Sequence, residues 1–328
     1  MKSAPHLRGK RILITGGTGT FGYAMVRQLL GISGIDKIII LSRDEFKQHE
    51  MLREFGGERL SFFLGDVRDL SRLTRAFNDI DIVIHAAALK QVPALEYNPL
   101  EAVKTNILGT QNVIDAALDR NVDRVIFVSS DKAVHPINLY GATKLTAERL
   151  VIASNVYRGE KGKTKLSVIR YGNVIGSRGS LVELIEKQRP TGVITLTDER
   201  MTRFWIYIDE VTKVVVNVLK LMQGGEIFVP KMKSLHIIDV IKRLAPECRI
   251  KTIGIRAGEK LHETLLTEHE ISRTKDLGDM FVILPEFKNW SGKSTFSKSK
   301  PFPKDSLYFS NHPDYLLSGR HVKKIIKI

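Results

Sequence analysis

Short β-branched runs recur along the first half of the chain, at Arg11–Thr15, Lys37–Leu41, Leu60–Leu64, Ile82–His85, Arg124–Ser129 and Leu166–Arg170. Between them, Phe21–Leu30, Phe46–Phe55, Ser71–Phe77, Asn98–Arg120 and Tyr140–Asn155 place apolar residues three or four apart, as helices do. Val103, Ile107, Val113, Ile114 and Ala117 show the spacing well. Unbroken apolar runs read as strands buried on both faces. Their alternation with helices predicts an α/β fold, a doubly wound parallel sheet with right-handed crossovers. After about residue 172 the pattern breaks into shorter pieces, which predicts a second, smaller lobe. A helix-like stretch at Asp209–Met222 is expected to return to the first lobe. The expected division is 1–172 with a return at about 205–222, against 173–204 and 223–328 for the smaller lobe and C-terminal segment. No internal repeat of about 20 to 50 residues interrupts this reading.

Composition narrows the class. The 328 residues are 43% hydrophobic, enough for a large core, which excludes disorder as the main state. One cysteine, Cys248, allows no intramolecular disulfide and no cysteine-cluster metal site, so no metal is expected and a reducing compartment fits. No apolar run approaches the length of a membrane span or a signal peptide, so a cytoplasmic protein is expected. The net charge is +15, and Lys288 to Ile328 carries nine Lys or Arg against two Asp, nearly half of that excess. Ser291 to Lys304, rich in Ser, Lys and Pro, reads as a poorly ordered surface stretch. Nucleic acid, an anionic membrane or a phosphorylated small molecule would each suit such a balance.

The first turn favours the small molecule. Gly16, Gly19 and Gly22 follow the first strand and open a helix, with Thr20 and Phe21 between the last two. A strand-to-helix turn of this kind needs positive backbone angles and lets a pyrophosphate approach the helix amino end. The spacing resembles that of the extended short-chain dehydrogenase/reductase superfamily, which implies a Rossmann-type dinucleotide domain. The second strand ends at Ser42-Arg43 without an acidic residue, and Arg43 with Lys47 suits a 2′-phosphate, so NADP is expected over NAD. Asp44 complicates this choice, since its carboxylate would suit a ribose. Further cofactor contacts are expected from Asp66 and Val67 after the third strand, Ala86 after the fourth, Ser129, and Val174.

Catalytic chemistry is written after the fifth strand. Tyr140 and Lys144 stand four apart on the next helix and share a face. An ammonium near a phenol lowers its pKa, so that it can take an alcohol proton as hydride leaves to nicotinamide. Ser130, Asp131 and Lys132 close the strand. A dehydrogenase or 4-epimerase has no use for a second acid and base there, whereas a dehydratase needs both. Once C4 of a sugar is a ketone, a base can remove the C5 proton while an acid protonates the leaving C6 hydroxyl. Lys132 is assigned as the base, which requires a pKa lowered by nearby cations and partial burial, and Asp131 as the acid.

With those residues in view, the chain resembles the inverting UDP-N-acetylglucosamine 4,6-dehydratases that begin pseudaminic acid synthesis. The resemblance runs from about Lys10 to Leu284, through strings such as TGGTGTFG, SRDEFKQHEM, HAAALKQVP, SDKAVHPINLYGATK, RYGNVIGSRGS, RMTRFWI and GIRAGEKLHE. It implies tightly bound NADP regenerated each turnover, UDP-N-acetylglucosamine as substrate, and a homo-oligomer, often a hexamer. It implies that Lys132 also supervises reprotonation of C5 from the opposite face. Lys90 would reach the sugar, Asn173 and Arg178 the diphosphate, with Gly179 and Ser180 beside them. Arg203 and Arg256 would complete the nucleotide pocket near Glu259, and Tyr308-Phe309-Ser310-Asn311-His312 would bring Asn311 to the substrate. Ser130 stands where Thr is usual, and 181–194 and 288–307 fit the family less well.

Two enzyme alternatives share much of this pattern: the retaining dehydratases and the capsular dehydratase/5-epimerases, both of which typically carry Met at the position of Tyr140. A UDP-sugar 4-epimerase would share the glycine turn and Tyr140/Lys144 but lacks a role for Asp131-Lys132. A non-catalytic NADP- or nucleic-acid-binding protein would use the +15 charge, but predicts a degraded catalytic set. The intact set and a phosphate-rich ligand pair account for positive charge in the body without nucleic acid or membrane.

Overall fold

The computed structural model describes residues 3–157, 159, 162–177, 179–287, 294–303 and 307–318. The apolar runs form strands β1 (Arg11–Thr15), β2 (Lys37–Ser42), β3 (Leu60–Leu64), β4 (Ile82–His85), β5 (Arg124–Ser130) and β6 (Lys165–Tyr171). They lie parallel in the spatial order β3-β2-β1-β4-β5-β6. Ile12, Leu13, Ile14, Ile82, Val83, Ile84 and Ile126 are wholly excluded from solvent, as strands covered on both faces require.

Helices α1 (Thr20–Leu30), α2 (Glu45–Phe55) and α3 (Leu70–Ala76) follow the first three strands. Asp44 and Asp69 cap α2 and α3, each carboxylate accepting from a first-turn backbone N–H. The β4–β5 connection holds α4 (Val92–Tyr97), α5 (Pro99–Ala102) and α6 (Gly109–Asp119), and α7 (Leu139–Ala153) links β5 to β6. The single helix expected over Asn98–Arg120 is therefore broken. Pro99 starts a new helix, and Val103–Leu108 is a π-helical stretch.

The strand order reverses between β1 and β4, which opens a crevice at the carboxyl ends of the strands. Beyond β6 come β7 (Asn173–Ile175), α8 (Leu181–Gln188), β8 (Val193–Leu196), β9 (Thr202–Tyr207) and α9 (Ile208–Leu221), which packs on α1. Strand β10 (Ile227–Pro230) joins β6 in parallel. Next are β11 (Lys233–His236), α10 (Ile237–Leu244), β12 (Arg249–Thr252) and α11 (Glu268–Ile271). The last strands are β13 (Thr274–Asp276), β14 (Met280–Ile283), β15 (Lys300–Pro301) and β16 (Leu316–Leu317).

Strands β10, β14, β13 and β15 extend the large sheet to ten strands, the last three antiparallel to their neighbours. The sequence pattern assigns these residues to the smaller lobe. The sheet takes them because Phe228, Val229, Phe281 and Val282 continue its buried surface. The smaller lobe has its own core, where Ile194, Leu196, Met201 and Trp205 meet Leu235, Val240 and Ile241. Part of the stretch expected to be poorly ordered is built into the main core: Phe296 and Phe302 are 6% and 2% exposed. Tyr308 is fully buried, and its hydroxyl oxygen accepts from the Met232 backbone N–H at 2.6 Å. Among the described residues no helix is long and apolar enough to cross a membrane.

Candidate active site

At the crevice the glycine turn is shaped by close packing. Gly16 has φ +66°, and a Cβ there would stand 2.8 Å from Ala87 backbone atoms. A Cβ on Gly22 would meet the Gly17 carbonyl oxygen at 2.1 Å, so α1 can leave β1 this tightly only without a side chain. Gly19 precedes α1 and supplies no side-chain cap, and the positive amino end of the helix points at the crevice where an anion would sit.

A cleft of about 1000 Å³ starts at this turn. It brings together Gly16, Gly19, Thr20, Phe21, Gly22, Arg43, Asp44, Lys47, Asp66, Val67, Ala86 and Lys90 from the first half. Ser129, Ser130, Lys132, Tyr140, Lys144, Asn173, Val174, Gly179 and Ser180 line its other side. Four buried oxygens on its wall, Thr105 Oγ1, Ser129 Oγ, Asn173 Oδ1 and Ser180 Oγ, have no hydrogen-bond partner among the described residues. Buried polar atoms are rarely left this way, so a polar ligand fits the cleft.

The two cations expected at a 2′-phosphate each face a carboxylate. Lys47 Nζ donates to Asp44, and Arg43 lies 3.6 Å from Asp66. Asp44 is thereby occupied twice, as cap of α2 and as partner of Lys47, which holds its carboxyl below the ordinary range.

Ser130, Asp131 and Lys132 form one hydrogen-bonded knot where β5 ends. Ser130 Oγ donates to Asp131 Oδ1 at 2.8 Å and accepts from the Lys132 backbone N–H. Lys132 Nζ donates to Asp131 Oδ1 at 3.0 Å. Asp131 is fully buried behind the cleft wall, and only Lys132 of the pair faces the cleft. The expectation of a depressed Lys132 pKa is corrected here. Burial works to lower it, but Asp131 and Glu263 outweigh burial and Arg203, and the ammonium is held well above its ordinary range.

Tyr140 also differs from expectation. Burial pushes its phenol up, and the cation that opposes this is Lys132 rather than Lys144. Lys144 Nζ donates to the Val128 carbonyl at 2.5 Å and sits 4.0 Å from the centre of the Phe127 ring. Burial brings Lys144 down to about 7, against the pull of Glu148. Lys90 is lowered by burial and next by the charge of Lys132.

Several residues expected at the substrate stand elsewhere. Arg203 is spent on the Thr202, Leu261 and Lys260 carbonyls and lies 3.8 Å from Glu263, outside the cleft wall. Arg256 and Asn311 are exposed, and Glu259 is half-buried; none of the three lines the cleft. Arg178 lies outside the described residues. Gln91, Thr105, Tyr171 and Trp205 line the cleft without having been singled out, because an amide, a hydroxyl or an aromatic ring carries no spacing signal. Glu263 was missed although it closes the GIRAGEKLHE string; its buried carboxylate meets its partners only through the fold.

The fold and this cleft define the class: the chain belongs to the polysaccharide biosynthesis protein family, whose model matches residues 12–285. Within it, the chain is 49% identical to the UDP-N-acetylglucosamine 4,6-dehydratase (inverting) of Campylobacter jejuni, over 88% of this chain and 87% of the relative. It is 41% identical to a UDP-glucose 4-epimerase of Rickettsia conorii, over 84% of this chain and 82% of that protein. The X-ray structure of Pen from Bacillus thuringiensis superposes with a TM-score of 0.90 at 36% identity, covering 98% of both chains.

Proposed function

We propose that the protein is a UDP-N-acetylglucosamine 4,6-dehydratase that inverts C5, giving UDP-2-acetamido-2,6-dideoxy-β-L-arabino-hexos-4-ulose. The observation that carries this reading is the Ser130-Asp131-Lys132 knot against Tyr140 at the foot of a dinucleotide-shaped cleft. When bound, the nicotinamide cofactor supplies a reversible hydride store, filled from C4 and emptied at C6. Gly16, Gly19 and Gly22 leave room for its pyrophosphate, and the amino end of α1 would hold that charge. NADP is preferred because Arg43 and Lys47 flank the ribose end of the cleft.

Tyr140 takes the proton of the 4-hydroxyl as C4 is oxidised. The amine of Lys132 then takes the C5 proton, which the new ketone has made acidic, and the C6 hydroxyl departs as water with a proton from Asp131, handed out through Ser130, which lines the cleft; Tyr140 supplies that proton from the 4-hydroxyl by way of the same serine. Reprotonation of C5 from the other face follows. Lys90, Asn173, Gly179 and Ser180 hold the sugar diphosphate from the loop after β4, from β7 and from the segment before α8. The product enters pseudaminic acid or related surface-glycan synthesis in the cytoplasm, and the enzyme works as a homo-oligomer.

Purified protein loaded with NADP, given UDP-N-acetylglucosamine in heavy water, is expected to form a 4-keto-6-deoxy sugar nucleotide without net cofactor consumption. NMR of the product should show inverted C5 carrying deuterium. No dehydration refutes the reading, and retained C5 configuration refutes inversion alone. A 4-epimerase is the second reading, since a relative of that name shares the fold. It predicts a 4-hydroxyl epimer with C6 still hydroxylated, and leaves the Asp131-Lys132 pair unused.

A further inference from the structure

Behind the cleft wall lies a titratable side chain that the reaction above does not use. Glu263 is 3% exposed, and its Oε2 has no hydrogen-bond partner among the described residues. The C-terminal segment fixes it in place. The Ser310 backbone N–H donates to the Glu263 carbonyl at 2.8 Å, and the Glu263 N–H donates to Ser310 Oγ at 2.8 Å. Both backbone polar groups of Glu263 are thus held by Ser310.

Three cations surround it, each beyond hydrogen-bond contact. Lys132 Nζ and Arg203 Nε are both 3.8 Å from Oε1, and Lys260 Nζ is 3.6 Å from Oε2. Lys260 is engaged with the Val134 carbonyl at 2.6 Å, and Arg203 with three carbonyls. Asp131 is the like charge beside it, with an Oδ2 that also lacks a partner. Tyr140 from α7 and Lys90 from the loop after β4 complete the charges facing Lys132. Lys132 is thus the one neighbour of Glu263 that also faces the cleft.

This arrangement leaves a difficulty in the proposed reaction. An ammonium beside two carboxylates cannot act as a base until its proton has gone somewhere, and on the side away from the cleft the carboxylate without a hydrogen-bond partner among the described residues is that of Glu263. We propose that Glu263 is a positioning residue for the reaction, which takes a proton from the Lys132 ammonium and so frees the amine for the C5 step. The N–H bond of Lys132 breaks with its electron pair left on nitrogen, an O–H bond forms on Glu263, and the net charge of the cluster does not change. A shift of about 1 Å by Nζ brings the pair into contact. Burial and Asp131 both favour the protonated form of Glu263, which makes the transferred state accessible. Lys132 gives the proton it took back to C5 in the reprotonation step, and the proton on Glu263 then returns to the amine and restores the ammonium.

The inference rests on the dehydratase reading, and the test separates the two. Wild-type enzyme frees its base internally, so its kcat is expected to be flat across neutral pH. Glu263→Gln keeps the shape but cannot take the proton, and must lose it to solvent instead. Its kcat is expected to fall about 100-fold near neutrality and to recover most of that at alkaline pH, with KM within about twofold. Glu263→Asp, which keeps the charge, is expected to restore part of the neutral-pH rate and a flat profile. A Glu263→Gln rate equal to wild type, or lower by one factor at every pH, overturns the proposal, as does a Glu263→Asp profile that rises with pH. A second readout is independent of turnover: NMR titration of labelled lysines should show the Lys132 pKa fall in Glu263→Gln, and an unmoved Lys132 overturns the coupling. Wild-type protein that forms no dehydrated product, but whose Lys132 shifts in the variant, fails the dehydratase reading while supporting the pair.

Discussion

Two lysines twelve residues apart, Lys132 and Lys144, are tuned in opposite directions by their neighbours. Lys132 meets two carboxylates and stays charged, while Lys144 is buried against a ring face and a carbonyl and falls to about 7. That contrast suits the different work the proposed reaction gives them: Lys132 as the group that moves a proton, and Lys144 close enough to neutrality for its charge to respond to what binds beside it. Lys132→Ala is expected to cut dehydration by 100-fold or more, to about 10⁴-fold, while C4 oxidation by Tyr140 continues. Single-turnover absorbance of the reduced cofactor, followed with product NMR, checks this, and wild-type elimination by the variant would remove Lys132 as the base. The types and positions of Ser130, Asp131, Lys132, Tyr140 and Lys144 were legible because they cluster within a short stretch after one strand. Their charge states were not. Asp131 next door raises Lys132 most, but the second carboxylate, Glu263, lies 131 positions away, and only folding brings it within 3.8 Å.

At the level of elements, helix α7, which carries Tyr140 and Lys144, is tied to the rest of the molecule by a buried charge cluster. Arg170 on β6 donates in bidentate fashion to Glu148 on α7, at 3.0 and 2.6 Å, and to both oxygens of Glu270 on α11. All three side chains are almost fully excluded from water. Burial alone would lower the guanidinium pKa, but the two carboxylates keep it charged. Removing one partner from such a group leaves uncompensated charge in the core. Glu270→Gln is therefore expected to cost about 3 to 5 kcal/mol in urea unfolding. A loss under about 1 kcal/mol would mean that Glu148 alone satisfies Arg170. The six parallel strands were readable within a residue or so at each end, because both faces are covered and the apolar run has nothing to interrupt it. Strands β13 to β16 were not. They span two to four residues, too short to carry a period; β13 to β15 lie where Phe281, Phe302 and Tyr308 meet at the edge of the large sheet, and β16 pairs with β11 in a separate sheet.

The whole molecule carries +15 charge, and two of its buried groups set how it meets acid. His85 lies between Thr15 and Thr110, sharing hydrogen bonds of 2.7 and 3.0 Å with their hydroxyls, and is 1% exposed. Burial, helped by the charge of Lys144, lowers its pKa from 6.5 to about 3. Below pH 6.5 the unfolded chain takes up a proton that the folded one refuses, so the stability due to neutral His85 drains away as pH falls towards 3. Glu270 acts in the same direction at lower pH. Although burial opposes it, Arg170 holds its carboxyl at about 2 rather than 4.5, so its contribution is full above 4.5 and is lost between 4.5 and 2. Each shift corresponds to a few kcal/mol, of order 3, and the rising positive charge adds self-repulsion. Thermal unfolding should accordingly show Tm declining in two stages, first below about pH 6.5 and then more steeply below about pH 4.5. In Glu270→Gln the second stage should flatten while the first remains, because the large buried carboxylate shift is gone and that of His85 is untouched. An unchanged second stage in that variant would place the acid sensitivity in other carboxylates, and a Tm that holds level from pH 6.5 to 4.5 would mean that His85 is not buried neutral.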